Sequence, residues 1–435
     1  MSNTRSFLSA RETARLIAAE SLTAVEAVSV CLATIATRDP VVGAWQVLDR
    51  EKALAAARAY DREASLSGKP LPLGGVPIAV KDNLDTADLP TAYGSSIYDN
   101  HQPMADAACV ALARRAGAIV MGKTVTTEFA YYRPGRTTNP HNSAHTPGGS
   151  SQGSAAAVAS GMVPLALGTQ TAGSVIRPAA YCGIVGFKPS WGLIPRQGAK
   201  ILSDWLDTVG VFARNVEDVA FFAAGLTGRN ALRPDGTGGP FEVAVLRPPY
   251  PAEAEPEAVA ALERAARALS AAGHGVSDLP TPHSLQNLPR LQRLVMAYDM
   301  EKALAYERRV YESSLSSILK TYLDEGKGIS PRAYDSAMAA TRDVQRDIDS
   351  VFGGADVILA PPAAGEAPVG LHATGDPAFN RVWSQLQLPC INVPTGLGPN
   401  GLPVGTQLIA RFGQDALLLA AALALEQALA AVMVA

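Results

Sequence analysis

The sequence lacks the residue groupings on which several large enzyme classes depend. Its four cysteines, Cys31, Cys109, Cys182 and Cys390, are scattered, with no CxxC pair and no metal-ligand spacing. That argues against a structural metal and implies reduced thiols in a cytoplasmic protein. The six histidines form no HExxH or related set, so neither a metal nor any other cofactor is expected. Charge of one sign is also missing: 37 basic against 40 acidic residues leave a formal net charge of −3. Nothing in that balance favours nucleic acid or an anionic membrane as a partner. The opening residues, MSNTRSFLSARE, have no apolar core of a signal peptide. The most apolar run, Ala416 to Leu425, ends at Glu426 and Gln427 and reads as too short for a membrane span.

What is present is material for a large core: 48% apolar against 18% charged residues over 435 positions. Ser9 to Glu12 and Thr23 to Glu26 match the capping-box pattern, and helices are predicted over about 9–66. Val76 to Val80 reads as a buried strand, and Ala118 to Met121 as another, with a helix from about Asp106 between them. A catalytic core of about 70–225 precedes a part covering about 241–435, the Gly- and Pro-rich stretch 228–240 lying between them. The second part holds short strands near Val243, Val276, Val357, Ile391 and Val404 and a helical region over 289–352, where Ser330 and Pro331 form an N-cap and N1 pair. Strands alternating with helices predict an α/β fold with a large mixed sheet covered by helices on both faces.

Two familiar patterns carry little. Gly117 to Thr124 fits the phosphate-loop spacing G-x4-G-K-[ST], but its central residues are apolar and read as the strand itself, and no helix pattern starts at Lys123. Gly149 to Gly153 fits the nucleophile elbow G-x-S-x-G, but its lead-in, His145 to Gly149, is a loop and not a strand. His274, His283 and His372 lie in no context that suits a general base, and His274 reads as part of a helix-to-strand turn.

A more coherent set lies between Pro147 and Pro178. A glycine loop with Ser150 and Ser151 leads into a helix of small residues, then a strand, then a second turn, Gly168 to Ser174. On composition alone, tight turns chosen for sterics account for both. Read together, the wording GGSSQGSAAAVASG at 148–161, GTQTAGS at 168–174, YCGIVGFKPS at 181–190, GVPIAVKDN at 75–83 and GLPVGTQLIA at 401–410 strongly resembles the amidase signature family. The resemblance spans nearly the whole chain. It implies one amidase domain over 1–435 and a Ser–cis-Ser–Lys triad, which falls on Lys81, Ser150 and Ser174. A serine hydroxyl needs a base, and a lysine at the end of a buried strand loses proton affinity enough to serve. The backbone N–H groups of Thr171, Ala172, Gly173 and Ser174 would form the oxyanion hole.

The second turn departs from the common family wording GTDTGGSIR. Gln170 replaces an Asp, Ala172 replaces a Gly, and the Arg stands three residues after the serine, at Arg177, instead of two. The change resembles malonamidase-type members, which implies a small amide carrying a carboxylate. Arg177 either faces that carboxylate or makes a structural ion pair; the sequence leaves both open. Tyr131 and Tyr132 are further pocket candidates, whereas the aromatics between Tyr298 and Tyr311 read as core. The expected partner is a small-molecule amide, with a homodimer as the expected assembly. Three readings compete. One is the amidotransferase A chain of tRNA amidation, which works with a partner protein. Another is a catalytically idle binding protein on the same scaffold. The most distant is a nucleotide-binding enzyme.

Overall fold

The structure, a computed structural model, describes residues 8–434 apart from 68, 235, 237, 238 and 249. Eleven strands form one sheet: β1 (Trp45–Leu48), β2 (Pro77–Lys81), β3 (Ile119–Thr124), β4 (Leu165–Gln170), β5 (Val185–Lys188), β6 (Thr208–Ala213), β7 (Glu242–Val245), β8 (Gly275–Asp278), β9 (Val357–Ala360), β10 (Cys390–Leu397) and β11 (Pro403–Ala410). Their order is β1-β3-β2-β4-β6-β5-β10-β11-β9-β7-β8. Strand β2 runs parallel to β3 and β4, and β7 parallel to β8 and β9, while the remaining pairs are antiparallel. This is the mixed α/β sheet that the alternating pattern predicts, and it continues across both halves of the chain.

Alternation along the strands sends side chains to two faces. Ile78 and Val80 join one core with Leu165, Leu167, Val209 and Val211, covered by helices Ala108–Arg115, Val216–Thr227, Pro256–Ala271 and Asp415–Val434. Ala79 and Ala166 face the other way, into helices Ala24–Val42 and Gln152–Ala159. On that same side, further along the sheet, Ala244, Ile358, Cys390 and Ile409 pack under helices Leu288–Ala303, Ser317–Lys327 and Ala378–Gln385.

Local expectations fare unevenly. Thr23 and Glu26 form the full reciprocal capping box. Ser9 caps its helix, but Glu12 turns to Arg15 instead of reaching back. Ser330 and Pro331 open their helix as predicted. A strand, β1, interrupts the N-terminal helices. The helix Ala378–Gln385 and strands β5 and β6 are additions to the sequence reading. Lys123 and Thr124 extend β3, so the phosphate-loop pattern is a strand. The last helix runs well past the apolar run, to Val434, and its stretch Asp415–Val432 is long and apolar enough to cross a membrane. Half of that stretch is buried inside the protein, Leu418, Leu419, Ala422 and Leu425 completely, and Glu426 accepts a hydrogen bond from Val216 N. It is a core helix.

The helix Gln152–Ala159 is made of small residues because it lies against backbone. A Cβ at Gly153 would stand 2.3 Å from the Ala44 carbonyl oxygen and 2.5 Å from Val125 N. Neither atom can move without disturbing β1 or the end of β3. Gly153→Ala is therefore expected to lower the unfolding free energy by about 1–3 kcal/mol through overpacking. Gly328→Ala, where the nearest atom would be 3.4 Å away, should change it by less than about 1 kcal/mol. Urea unfolding midpoints of the two variants check this, and equal effects would contradict it.

Candidate active site

Three chain segments meet at the edge of the sheet where the parallel strands β2 and β4 end. Strand β2 delivers Lys81 as its last residue. The loop before helix Gln152–Ala159 delivers Ser150, and the turn after β4 delivers Ser174 just before helix Ile176–Cys182. The peptide bond Gly149–Ser150 is cis. Two contacts tie the loops together: Ser151 N donates to the Ser174 carbonyl at 3.3 Å, and Arg177 Nη2 donates to the Gly149 carbonyl at 2.8 Å.

Lys81 is wholly buried. Its Nζ lies 2.7 Å from Ser150 Oγ and 2.8 Å from Thr169 Oγ1. Asn83 Nδ2 also donates to Thr169 Oγ1, at 2.9 Å, which fixes that hydroxyl under the amine. Burial pushes the Lys81 amine well below the ordinary lysine range, and only the field of Asp207 works against this. The neutral amine is thereby favoured, and the Ser150 hydroxyl can donate to it. Ser151, the elbow-like serine, is used up structurally: its Oγ donates to the Thr169 carbonyl and accepts from Thr169 N.

Ser150, Ser174 and the turn Thr171–Gly173 line one chamber of about 340 Å³ together with Arg177, Tyr131 and Tyr132. The carbonyls of the turn face into the protein. Ala172 O accepts from Ser384 Oγ at 2.7 Å, and Thr171 O lies 3.5 Å from Gln292 Nε2. Because the N–H of the following residue points opposite to each carbonyl in a trans peptide, the amides of Gly173 and Ala172 point away from Ser384 and Gln292. The turn also needs its glycine: a Cβ at Gly173 would stand 2.3 Å from Asn380 Oδ1.

Gln170 explains itself once the fold is known. Its Oε1 accepts from Val175 N at 2.8 Å and Ile176 N at 3.0 Å, and its Nε2 donates to Ser384 Oγ at 3.1 Å. A carboxylate could cap the helix start but could not donate to Ser384. Arg177 forms no ion pair among the described residues, which removes the structural ion pair as its role. Its Nε donates to Thr374 O at 2.7 Å and its Nη2 to Gly149 O, leaving Nη1 buried without a hydrogen-bond partner. Desolvation works against its charge.

Tyr131 and Tyr132 stand in edge contact, and both also border a wider outer cleft. Arg381 Nη2 donates to Tyr132 OH at 2.7 Å. The aromatics Tyr298, Tyr306 and Tyr311 do not line the chamber, and the reading of them as core fails for Tyr306 and Tyr311, which are exposed. His274 Nδ1 accepts from Phe241 N and belongs to the fold. Among the described residues no cluster of His, Cys, Asp or Glu is arranged to hold a metal ion. The supporting residues Thr169, Ser384, Asn380 and Thr374 escaped sequence reasoning, since the last three lie about 200 positions from the turns they touch and carry no local signal.

The Amidase family model matches residues 26–419. The glutamyl-tRNA(Gln) amidotransferase A chain of Anaeromyxobacter dehalogenans (strain 2CP-C) is 33% identical, with 97% of this chain and 96% of that protein covered. Among solved structures, an amidase superimposes with a TM-score of 0.88 at 26% identity, covering 97% of this chain and 99% of that one. Peptide amidase from Stenotrophomonas maltophilia gives 0.83 at 26%, covering 98% and 97%. A 6-aminohexanoate cyclic dimer hydrolase complexed with substrate gives 0.86 at 25%, with the same coverage. By family match, fold and the motifs gathered at one sheet edge, the chain belongs to the amidase family of amide-hydrolysing enzymes.

Proposed function

We propose that the protein cleaves a small carboxamide, one carrying a carboxylate, through an acyl-Ser174 intermediate. The observation that carries this reading is the 2.7 Å contact between the buried Lys81 amine and Ser150 Oγ, beside the chamber that Ser150 shares with Ser174. Neutral Lys81 takes a proton from Ser150, which takes one from Ser174 as its Oγ bonds to the substrate carbonyl carbon. The oxygen gathers negative charge facing the amides of Thr171, Ala172, Gly173 and Ser174. On collapse the C–N bond breaks, and Ser150 passes the Lys81 proton to the departing amine. Water then attacks the acyl ester through the same relay, releasing the acid and restoring Ser174.

Arg177 supports the carboxylate. Its Nη1 is a buried donor with an unmet hydrogen bond on the wall of a chamber of small volume. A substrate carboxylate would satisfy both that donor and the buried charge, a contact of about 1.5–3 kcal/mol. The likeness to the A chains of glutamyl-tRNA(Gln) amidotransferases supports a second reading, a chain that releases ammonia for a partner. The altered turn GTQTAGSVIR favours the stand-alone amidase. A purified chain that hydrolyses a simple amide without partners decides for the first reading, and a chain that needs a second protein decides for the other.

Lys81→Ala should remain folded and lose at least ~10³-fold in kcat/KM. Ser174→Ala should lose turnover and also the covalent adduct with a serine-directed probe, read by mass spectrometry; an adduct on another serine would contradict the assignment. Protonation of Lys81 removes the base, so activity should fall as pH drops through its depressed pKa. For Arg177→Ala, kcat should fall on every amide, because the Gly149 carbonyl beside Ser150 loses its donor. KM should rise about 10- to 100-fold for acidic amides alone. Equal KM changes for acidic and neutral amides would sink the carboxylate role.

A further inference from the structure

A second cavity adjoins the chamber. Tyr131, Tyr132 and Pro377 border both the chamber, of about 340 Å³, and the outer cleft, of about 1070 Å³. The chamber has room for the acyl half of a small amide. A substituent on the amide nitrogen would enter the cleft. Four ionisable side chains besides the tyrosines line that cleft: Arg293, Glu325, Asp376 and Arg381. Two of them satisfy each other, since Arg293 Nη2 lies 3.1 and 2.9 Å from the two carboxylate oxygens of Glu325. Asp376 Oδ1 accepts from Ala378 N at 3.0 Å, at the start of helix Ala378–Gln385. The same oxygen is 4.0 Å from Arg381 Nη2, too far for a hydrogen bond. The Asp376 side chain is 73% exposed, so water screens its charge. Arg381 is thus held by neutral acceptors alone: Tyr132 OH at 2.7 Å from Nη2 and Gln292 Oε1 at 2.8 Å from Nη1. Its Nε makes no hydrogen bond among the described residues.

We propose that the outer cleft holds the amine half of the substrate and that Arg381 binds a carboxylate carried on it. This rests on the amidase reading and narrows it to a secondary amide, R–CO–NH–R′, with an acid on R′. The chemistry is unchanged. The C–N bond breaks, the amine leaves into the cleft as H₂N–R′ with the relay proton, and water releases R–COOH from Ser174. Arg177 meets the acid of the acyl half inside the chamber, and Arg381 meets that of the amine half outside it. The side chain of Arg381 is only 14% exposed, and its two bonds fix the plane of the guanidinium beside the wall that chamber and cleft share. A cation held in place by neutral groups keeps donors for an anion, and such charge-assisted bonds are stronger than neutral ones. Arg293, on the same cleft, shows what a guanidinium with its own carboxylate looks like.

The test is steady-state kinetics of the purified chain on monoamides of malonic, succinic and glutaric acid. Each acid is offered as its primary amide, its N-propyl amide and its N-(2-carboxyethyl) amide. The last two are of similar length and differ in the acid. On the acid that is cleaved best, kcat/KM should be at least about 10-fold higher for the carboxyethyl amide than for the propyl amide, through a lower KM. Arg381→Gln keeps an amide donor and removes the charge. It should bring that ratio to within about 2-fold of one, whereas Arg381→Lys should keep part of it. If Arg381→Gln slows both amides and leaves their ratio unchanged, Arg381 acts only structurally, through Gln292 and the oxyanion turn, and the proposal is overturned. A wild-type ratio of one or less overturns it without any variant, so the proposal stays falsifiable if the variants do not fold. If primary amides are cleaved and neither N-substituted series is, the inference about the cleft alone fails. If no amide of the set is cleaved, the amidase reading fails and the inference with it.

Discussion

A lysine amine buried out of contact with any carboxylate sets the terms for this site. The adjacent strand offers the contrast. Lys123 is as buried as Lys81, yet its Nζ lies 3.1 Å from Asp82 Oδ1 and 2.5 Å from Thr91 Oγ1. That pair answers its charge, and breaking one partner of such a pair costs several kcal/mol. Lys81 instead meets two hydroxyls and a distant carbonyl. Hydroxyls can donate as well as accept, so they can meet either the neutral or the charged form of the amine, as the proposed relay requires. The same low-polarity surroundings that make the ammonium form costly strengthen each hydrogen bond along the relay.

That constraint reaches into the fold. Ser150 arrives at the end of β2 on a loop that leads into a helix, which has small residues over 153–157 and backbone contact at Gly153. Ser174 must arrive on a turn whose carbonyls are held from behind, which brings in Ser384 and the helix Ala378–Gln385 from the far end of the chain. Gln170 joins both tasks, accepting from the start of one helix and donating to the other. Arg177 bonds the loop of Ser150 to Thr374 and leaves Nη1 buried without a hydrogen-bond partner.

The parts of this arrangement that depend on neighbours in sequence were legible there. Strand β2 shows as an apolar run ending in Lys81, the small-residue helix as a run of alanines, and the helix starts at Thr23 and Ser330 as caps. What depends on distant pairing was not. Strands β5 and β6 are short and buried on both faces, so they lack the alternation that marks a strand. Asp207 shows its place only through the register of β6 against β4. That the Arg177 guanidinium is held by backbone carbonyls shows only once Thr374, nearly 200 positions away, is brought beside it.

The central claim is that Lys81 is a neutral amine at working pH. An NMR titration of protein labelled at the lysine ε-carbon, with Lys81 assigned by its absence in Lys81→Arg, reads that directly. The account predicts a Lys81 signal that titrates well below the ordinary lysine range and together with the acid limb of activity. A Lys81 that stays protonated through that limb would contradict it.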